Sequence, residues 1–349
     1  MLRSLLLASL VAFPALAFEV RTDSQGDVVR WSQQVEFVVS PDLSERLGLP
    51  GAPGAVTSAV AAMAAKTAGL EVKVRVGQQP GQLGYAVGAA NQNDIVLLED
   101  WPYESKNLAA TLVTLNARTN QILDADIALN GESAGFVIVE GNEDSKYDLQ
   151  NTLTHELGHA LGLMHNPKDE TSVMYPSAAP GETRKRTLGA DDIAGLSELY
   201  PAAAESADSD LRGVGCSSVP APASLAALGV VLLLASWRKR RLAVLVVGAT
   251  AALAAEPVNQ AEPEEISWGE VVETSSRWLP ETRVIVTDVE IEVQRCVRGA
   301  CVEKRVRVQV LGGKIGDLEQ VVTHQPAPRR GSQVVLTWRS GHLRLTIAR

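Results

Sequence analysis

Residues 155–165 read His-Glu-Leu-Gly-His-Ala-Leu-Gly-Leu-Met-His. On a helix, His155 and His159 lie four residues apart, so both imidazoles leave one face, one turn apart. Gly162 can adopt a left-handed turn at no steric cost, which lets the chain double back and carry His165 to the same point. Three protein ligands leave a tetrahedral zinc one open position, the arrangement of catalytic rather than structural sites. Glu156, beside the first histidine, can reach a water in that position as a general base. The competing reading is a set of histidines that merely pack in a core. Chance would supply this pattern in roughly one such chain in 10^5, so the spacing points to one Zn2+ ion and to hydrolysis.

The run fits the extended metzincin pattern, and its flanks resemble the matrixins, the branch that contains matrix metalloproteases. Ser172-Val173-Met174-Tyr175-Pro176 resembles the Met-turn, and Leu188-Gly189-Ala190-Asp191-Asp192-Ile193 onward to Leu199-Tyr200 resembles the C-terminal helix of such domains. Asp124-Ala125-Asp126-Ile127-Ala128-Leu129-Asn130 is similar to the strand that precedes the active-site helix in bacterial members. The resemblance covers roughly residues 18–201. It implies a zinc endopeptidase acting on proteins or peptides, with His155, His159 and His165 as metal ligands and Glu156 as the catalytic base. Met174 would be a packing residue beneath the zinc. The implied fold is α+β, a twisted mixed sheet with an active-site helix and a C-terminal helix.

Departures from the family pattern shape further expectations. No cysteine precedes Cys216, so latency through a propeptide cysteine is not expected. The remaining histidines, His324 and His342, lie far along the chain. A second, His-bound zinc is therefore not expected, and His324 reads as an ordinary surface residue. Calcium is a further candidate, because residues 18–200 carry 25 Asp+Glu against 13 Lys+Arg. Solvated surface carboxylates explain the same count. In the loop after Met174, Arg184-Lys185-Arg186 reads as a solvated basic turn, or as a bias toward acidic substrate residues.

Several elements must position these residues. Val35–Ser40 is a short β-rich run, Ala55–Ala68 a small-residue helix ended by Gly69, and Leu70–Val76 an alternating strand. Asp94–Leu98 reads as a buried strand, and Leu108–Asn116 with Gln121–Asn130 as a hairpin turning near Thr119-Asn120. The resemblance makes the first hairpin strand the open edge that pairs with an extended substrate, and an edge does offer unpaired backbone groups to a peptide. Asp148 is placed to cap a helix over Leu149–Leu161.

The rest of the chain concerns address. Arg3, an apolar run from Leu5 to Leu16 and Ala15-Leu16-Ala17 read as a signal peptide over 1–17, hence an exported protein. After the protease segment comes a linker over 202–218 containing Cys216, then an apolar stretch and arginine cluster over 219–241. That order resembles the MYXO-CTERM class of sorting tails, with Cys216 as the sorting-signal residue; a transmembrane anchor with a positive flank is the alternative. Residues 242–255 form a second apolar segment ending like a cleavage site. It suggests either two exported polypeptides in tandem or a membrane hairpin, and either way an envelope association through 219–255.

Residues 256–349 alternate at period two over Arg283–Cys296 and Arg305–Val310, with a hairpin around Ser340-Gly341. They read as a small all-β domain of unknown role, in which Cys296 and Cys301 could form a disulfide across a short loop. With 349 residues and 46% hydrophobic content the chain can build more than one core. A net charge of −9 argues against nucleic acid as a partner. Three function classes follow: a zinc endopeptidase, a surface adhesion protein led by its β module, and a self-processing envelope factor.

Overall fold

The computed structural model describes residues 18–23, 26–103, 106–132, 134–141, 145–202, 265–279, 282–299, 304–325, 327–339 and 342–348. The expected signal peptide, the apolar segments 219–241 and 242–255, Cys216 and Cys301 lie outside the described residues. Among the described residues, no helix is long and apolar enough to cross a membrane.

The first part of the chain is α+β. Strand β1 (Val35–Val39) is followed by helices α1 (Leu43–Leu47) and α2 (Ala52–Ala64), then β2 (Val72–Val76), β3 (Asn93–Leu98), β4 (Ala109–Asn116) and β5 (Gln121–Asn130). Two short strands, β6 (Phe136–Val137) and β7 (Tyr147–Asp148), lead into α3 (Leu149–Ala160), and α4 (Ala190–Leu199) closes the segment. Helix α2 starts three residues before the expected Ala55, with Pro53 in its first turn, where a missing N–H costs nothing. It stops short of Ala68 because the Thr67 hydroxyl donates to the carbonyls of Ala64 and Leu70 and draws the chain out of the helix.

Strands β1, β2, β3 and β5 run parallel, and β4 returns antiparallel to β5 through a turn in which Asn120 takes a positive φ of 55°. Parallel strands need both faces covered. Helices α2 and α3 cover one, where Val56, Val60, Met63, Leu153 and Leu157 pack with Phe37, Ile95, Ile127 and Leu129 in one buried cluster. Each fully buried leucine contributes about 1.5–3 kcal/mol. On the other face, Val96, Trp101, Ala110, Leu112 and Ala128 form a second cluster.

The C-terminal residues described are strands: β8 (Glu265–Trp278), β9 (Ile285–Arg298), β10 (Arg305–Leu311), β11 (Gly313–Ile315), β12 (Leu318–Val322), β13 (Gln333–Arg339) and β14 (His342–Ile347). Five form an antiparallel sheet in the order β10-β9-β8-β13-β14, and β13 and β14 pair as the expected hairpin. The other two leave it. They complete a seven-stranded sheet in the order β11-β12-β4-β5-β3-β1-β2, so the described residues on either side of the gap after residue 202 belong to one compact unit.

This corrects the expectation of an open edge at β4. Its outer side is taken by β12, antiparallel, from Leu318 opposite Asn116 to Val322 opposite Leu112. Val322 completes the second cluster, and buried Gln320 ties β12 to β4 and to the start of β9. The Gln320 side chain donates to Thr114 Oγ1 (3.2 Å) and Arg283 O (2.9 Å) and accepts from Ile285 N (2.6 Å). An open strand edge is a standing template for pairing, and here the chain satisfies its own.

Candidate catalytic zinc site

Helix α3 begins where the sequence placed it. Asp148 Oδ1 accepts from Asn151 N at 2.7 Å, and Oδ2 from Val139 N at 3.0 Å. Arg186 also pairs with this buried carboxylate, its Nε 2.8 Å from Oδ1. The far end is equally well satisfied. Trp31 Nε1 donates to Ala160 O (2.9 Å) and the Tyr200 hydroxyl to Leu161 O (2.7 Å), filling carbonyls that a helix terminus leaves without partners.

His155 and His159 project from this helix. Each presents Nδ1 to a backbone carbonyl, Val173 O at 2.7 Å and Leu163 O at 2.9 Å. With Nδ1–H donating, both Nε2 lone pairs face inward, the tautomer a metal requires. Gly162 turns with φ 101°, and the N-terminal residues hold the returning strand through Arg21 N to Gly162 O and Met164 N to Glu19 O, both 2.8 Å. His165 arrives with its Nε2 3.2 Å from that of His159 and 3.3 Å from that of His155. For a tetrahedron with Zn–N of about 2.0–2.1 Å, the expected edge is about 3.3–3.4 Å. Lone pairs this close repel one another unless a cation lies between them, so the three nitrogens fit a zinc ion. Burial holds His155 and His159 well below the usual histidine range and His165 at about 4, so all three stay neutral near pH 7, the form a metal requires.

Met174 lies under this group. A Cβ added to Gly158, between the two helix histidines, would meet its Sδ at 2.3 Å. The turn carrying Met174 is held by Asp192, a residue whose role its position in the sequence did not disclose. Its carboxylate accepts from Ser172 Oγ (2.6 Å), Val173 N (2.9 Å) and Gly189 N (2.8 Å), bolting the turn to the start of α4. Asn166, next to the third histidine, joins the same assembly. Its side chain donates to Asp191 at 2.7 Å, and its backbone N–H donates to Met174 O at 3.0 Å. A capping pattern of Asp at the third position of α4 was the available signal.

Glu156 is buried and fully engaged. Thr111 Oγ1 donates to its Oε2 at 2.6 Å, and His324 Nε2 lies 3.3 Å from Oε1. Burial alone would raise its pKa; the contact with His324 and the Thr111 bond outweigh it and bring the group to about 2. It is thus a carboxylate throughout the working pH range. Beside it a cavity of about 260 Å³ runs past Tyr147, Thr152, Pro176 and Lys185.

Two expectations are corrected here. His324 is no surface residue: it joins His155, His159 and His165 in one cluster whose ligand atoms all lie within 4.8 Å of one another. Sequence separation hid this, because only the β12–β4 pairing carries residue 324 to the site. The basic turn is not simply solvated either. Lys185 is buried, its ammonium bonded to Tyr175 O and its pKa lowered by burial to about 8. Arg186 is committed to Asp148. Cys296 is disulfide-bonded.

Comparison with known proteins agrees with the geometry. Residues 84–201 match the Matrixin family model. The chain is similar to Metalloendoproteinase 1-MMP of Arabidopsis thaliana, 45% identical over 62 residues, covering 18% of this chain and 16% of that protein. It is similar to human Matrix metalloproteinase-26, 38% identical over 76 residues (20% and 29%), and to human Matrilysin, 47% identical over 47 residues (14% and 17%). Each of these matches spans less than a third of the relative's length. The matched segment is similar to the Matrixin family, and its α+β fold and a histidine cluster able to hold a metal ion agree with that likeness.

Proposed function

We propose that this chain is an exported zinc endopeptidase that hydrolyses peptide bonds in proteins, with His155, His159 and His165 holding the metal and Glu156 acting as general base. The observation that carries this reading is the convergence of three Nε2 atoms, that of His165 lying 3.2 Å and 3.3 Å from the other two, beside the buried carboxylate of Glu156. Zinc bound there supplies Lewis acidity toward a water and the scissile carbonyl. The residues do the rest. Glu156, ionised and oriented by the Thr111 hydroxyl, accepts the proton of the attacking water and passes it to the departing amine. Asp192 keeps the Val173 carbonyl on His155 Nδ1, which fixes the ring's direction. The cavity beside Glu156 would take a substrate side chain near Lys185, whose charge suits acidic or polar residues.

Export rests on the signal-like residues 1–17 and envelope attachment on the apolar segments over 219–255. The test is casein hydrolysis by the zinc-loaded full chain, with and without a chelator, beside Glu156→Gln. Chelator-sensitive cleavage is expected, reduced at least ~10^2-fold in the variant while bound zinc is unchanged. A Glu156→Gln chain cleaving at the wild-type rate would end this assignment.

A further inference from the structure

We propose that His324 is a fourth protein ligand to the zinc and that β12 with His324 occupies the substrate cleft, so the chain as folded holds its own site closed. The inference rests on the metal-site reading above and adds to it what fills the position reserved for water and substrate.

The backbone makes the first argument. β12 runs antiparallel along the outer side of β4, the side an extended peptide would need. The pairing continues past the strand. Thr323 N donates to Thr111 O at 2.9 Å, and Thr111 N to Thr323 Oγ1 at 2.8 Å. Thr111 is also the residue whose hydroxyl orients Glu156. The segment therefore follows the edge strand up to the catalytic carboxylate and uses its pairing groups on the way. Gln320, bonded to Thr114, Arg283 and Ile285, and Val322, buried in the second cluster, anchor it from behind.

The side chain makes the second. Directly after this pairing the backbone of His324 turns left-handed, with φ 61°, a conformation uncommon outside glycine. The imidazole thereby enters the histidine cluster. Its ring centre lies 4.8 Å from that of His165, 5.4 Å from His159 and 5.7 Å from His155. Its Nε2 lies 3.3 Å from Glu156 Oε1, where a water must sit for Glu156 to act as base; with Nε2–H donating there, Nδ1 carries the lone pair left for zinc. Three ligands leave zinc open, and a fourth imidazole closes it as in a structural site. A local backbone outlier, a full strand pairing and a fourth convergent histidine, all from residues 318–324, agree on one occupant.

Zinc X-ray absorption on the zinc-loaded full chain tests this without requiring any variant to fold. Four imidazole nitrogens and no oxygen are expected; three imidazoles with one oxygen would overturn the proposal. Cobalt substitution gives a second readout. His324→Ala should admit solvent and change the cobalt visible spectrum, bind a simple hydroxamate at least about tenfold more tightly, and hydrolyse casein at least about tenfold faster. An unchanged spectrum and hydroxamate affinity would overturn the proposal. So would equal and measurable casein turnover by both chains, which would leave the endopeptidase reading standing. A changed spectrum and tighter hydroxamate binding with no cleavage would support the closed site and instead remove the endopeptidase reading. Intact mass after incubation adds a last check, since a wild-type chain cut beside His324 would make the segment a substrate rather than a closure.

Discussion

Gly158→Ala probes how the helix and the Met174 turn are fitted to one another. A Cβ at this position would lie 2.3 Å from Met174 Sδ and 3.3 Å from its Cε, where carbon contacts settle at about 3.5–4.0 Å. Met174 is only 2% exposed, so it must retreat by about 1 Å or more into a packed interior. Overpacking of this kind costs about 1–3 kcal/mol. Alanine recovers about 1 kcal/mol that glycine forfeits inside a helix. The net expectation lies between no change and about 2 kcal/mol of destabilisation, whereas an unobstructed helix glycine would gain about 1 kcal/mol on the same substitution. Movement of Met174 also displaces Val173, whose carbonyl holds His155 Nδ1. Loss of such an orienting bond typically costs about 10–100-fold in metal affinity. Urea denaturation of the metal-free full chain and a zinc competition titration measure both quantities. A double-mutant cycle isolates the contact. Met174→Ala alone should cost about 2–5 kcal/mol, and about 1–3 kcal/mol less when Gly158→Ala is also present, because the added methyl fills part of the vacated space. A Gly158→Ala chain that is about 1 kcal/mol more stable, additive with Met174→Ala and unchanged in zinc affinity would refute the reasoning.

Other outcomes follow from buried charges. Burial raises the Asp124 pKa to about 7, and burial with the neighbouring Asp124 charge raises that of Asp126. Both folded values exceed the ordinary one, so the protonated forms favour the fold. The pair's own contribution to stability should fall as pH rises from about 4 through 7, opposite in sign to that of His155, His159 and His165, whose lowered values favour the fold as pH rises. Urea midpoints of wild type and Asp124→Asn at about pH 5 and pH 8 check this: the variant should gain on the wild type between the two, and a constant difference would refute it. If Ca2+ occupies this acidic group, millimolar calcium should shrink that gain, read in the same titration. Arg186→Ala removes the side-chain partner of buried Asp148 but leaves its bonds from Asn151 and Val139. A loss of about 2 kcal/mol is expected by denaturation, and a loss below about 0.5 kcal/mol would show the pair to be a surface pair in effect.

Helix α3, its Asp148 cap, the left-handed turn at Gly162 and the convergence of the three histidines were all legible in residues 148–165, because each depends on contacts a few residues apart. Helical period, capping chemistry and glycine's freedom act locally, and they act the same way whatever surrounds them. The β4–β5 hairpin was legible for the same reason. The partner of β4's outer side was not. Residues 318–322 alternate no differently from the strands of the five-stranded sheet, and pairing between strands some ~200 residues apart is decided by register, burial and competing edges. The fate of His324 followed from that choice: one left-handed residue after β12 turns an isolated histidine into a member of the histidine cluster. Asp192 and Lys185 were hidden likewise, since their partners at the Met174 turn and Tyr175 are set by how the loop after the third histidine folds back. By itself, then, the sequence determined which chemical groups meet on helix α3 and the turn after it. Whether the site stands open was decided only by the tertiary structure, because filling a strand edge is a long-range contact that no local pattern encodes.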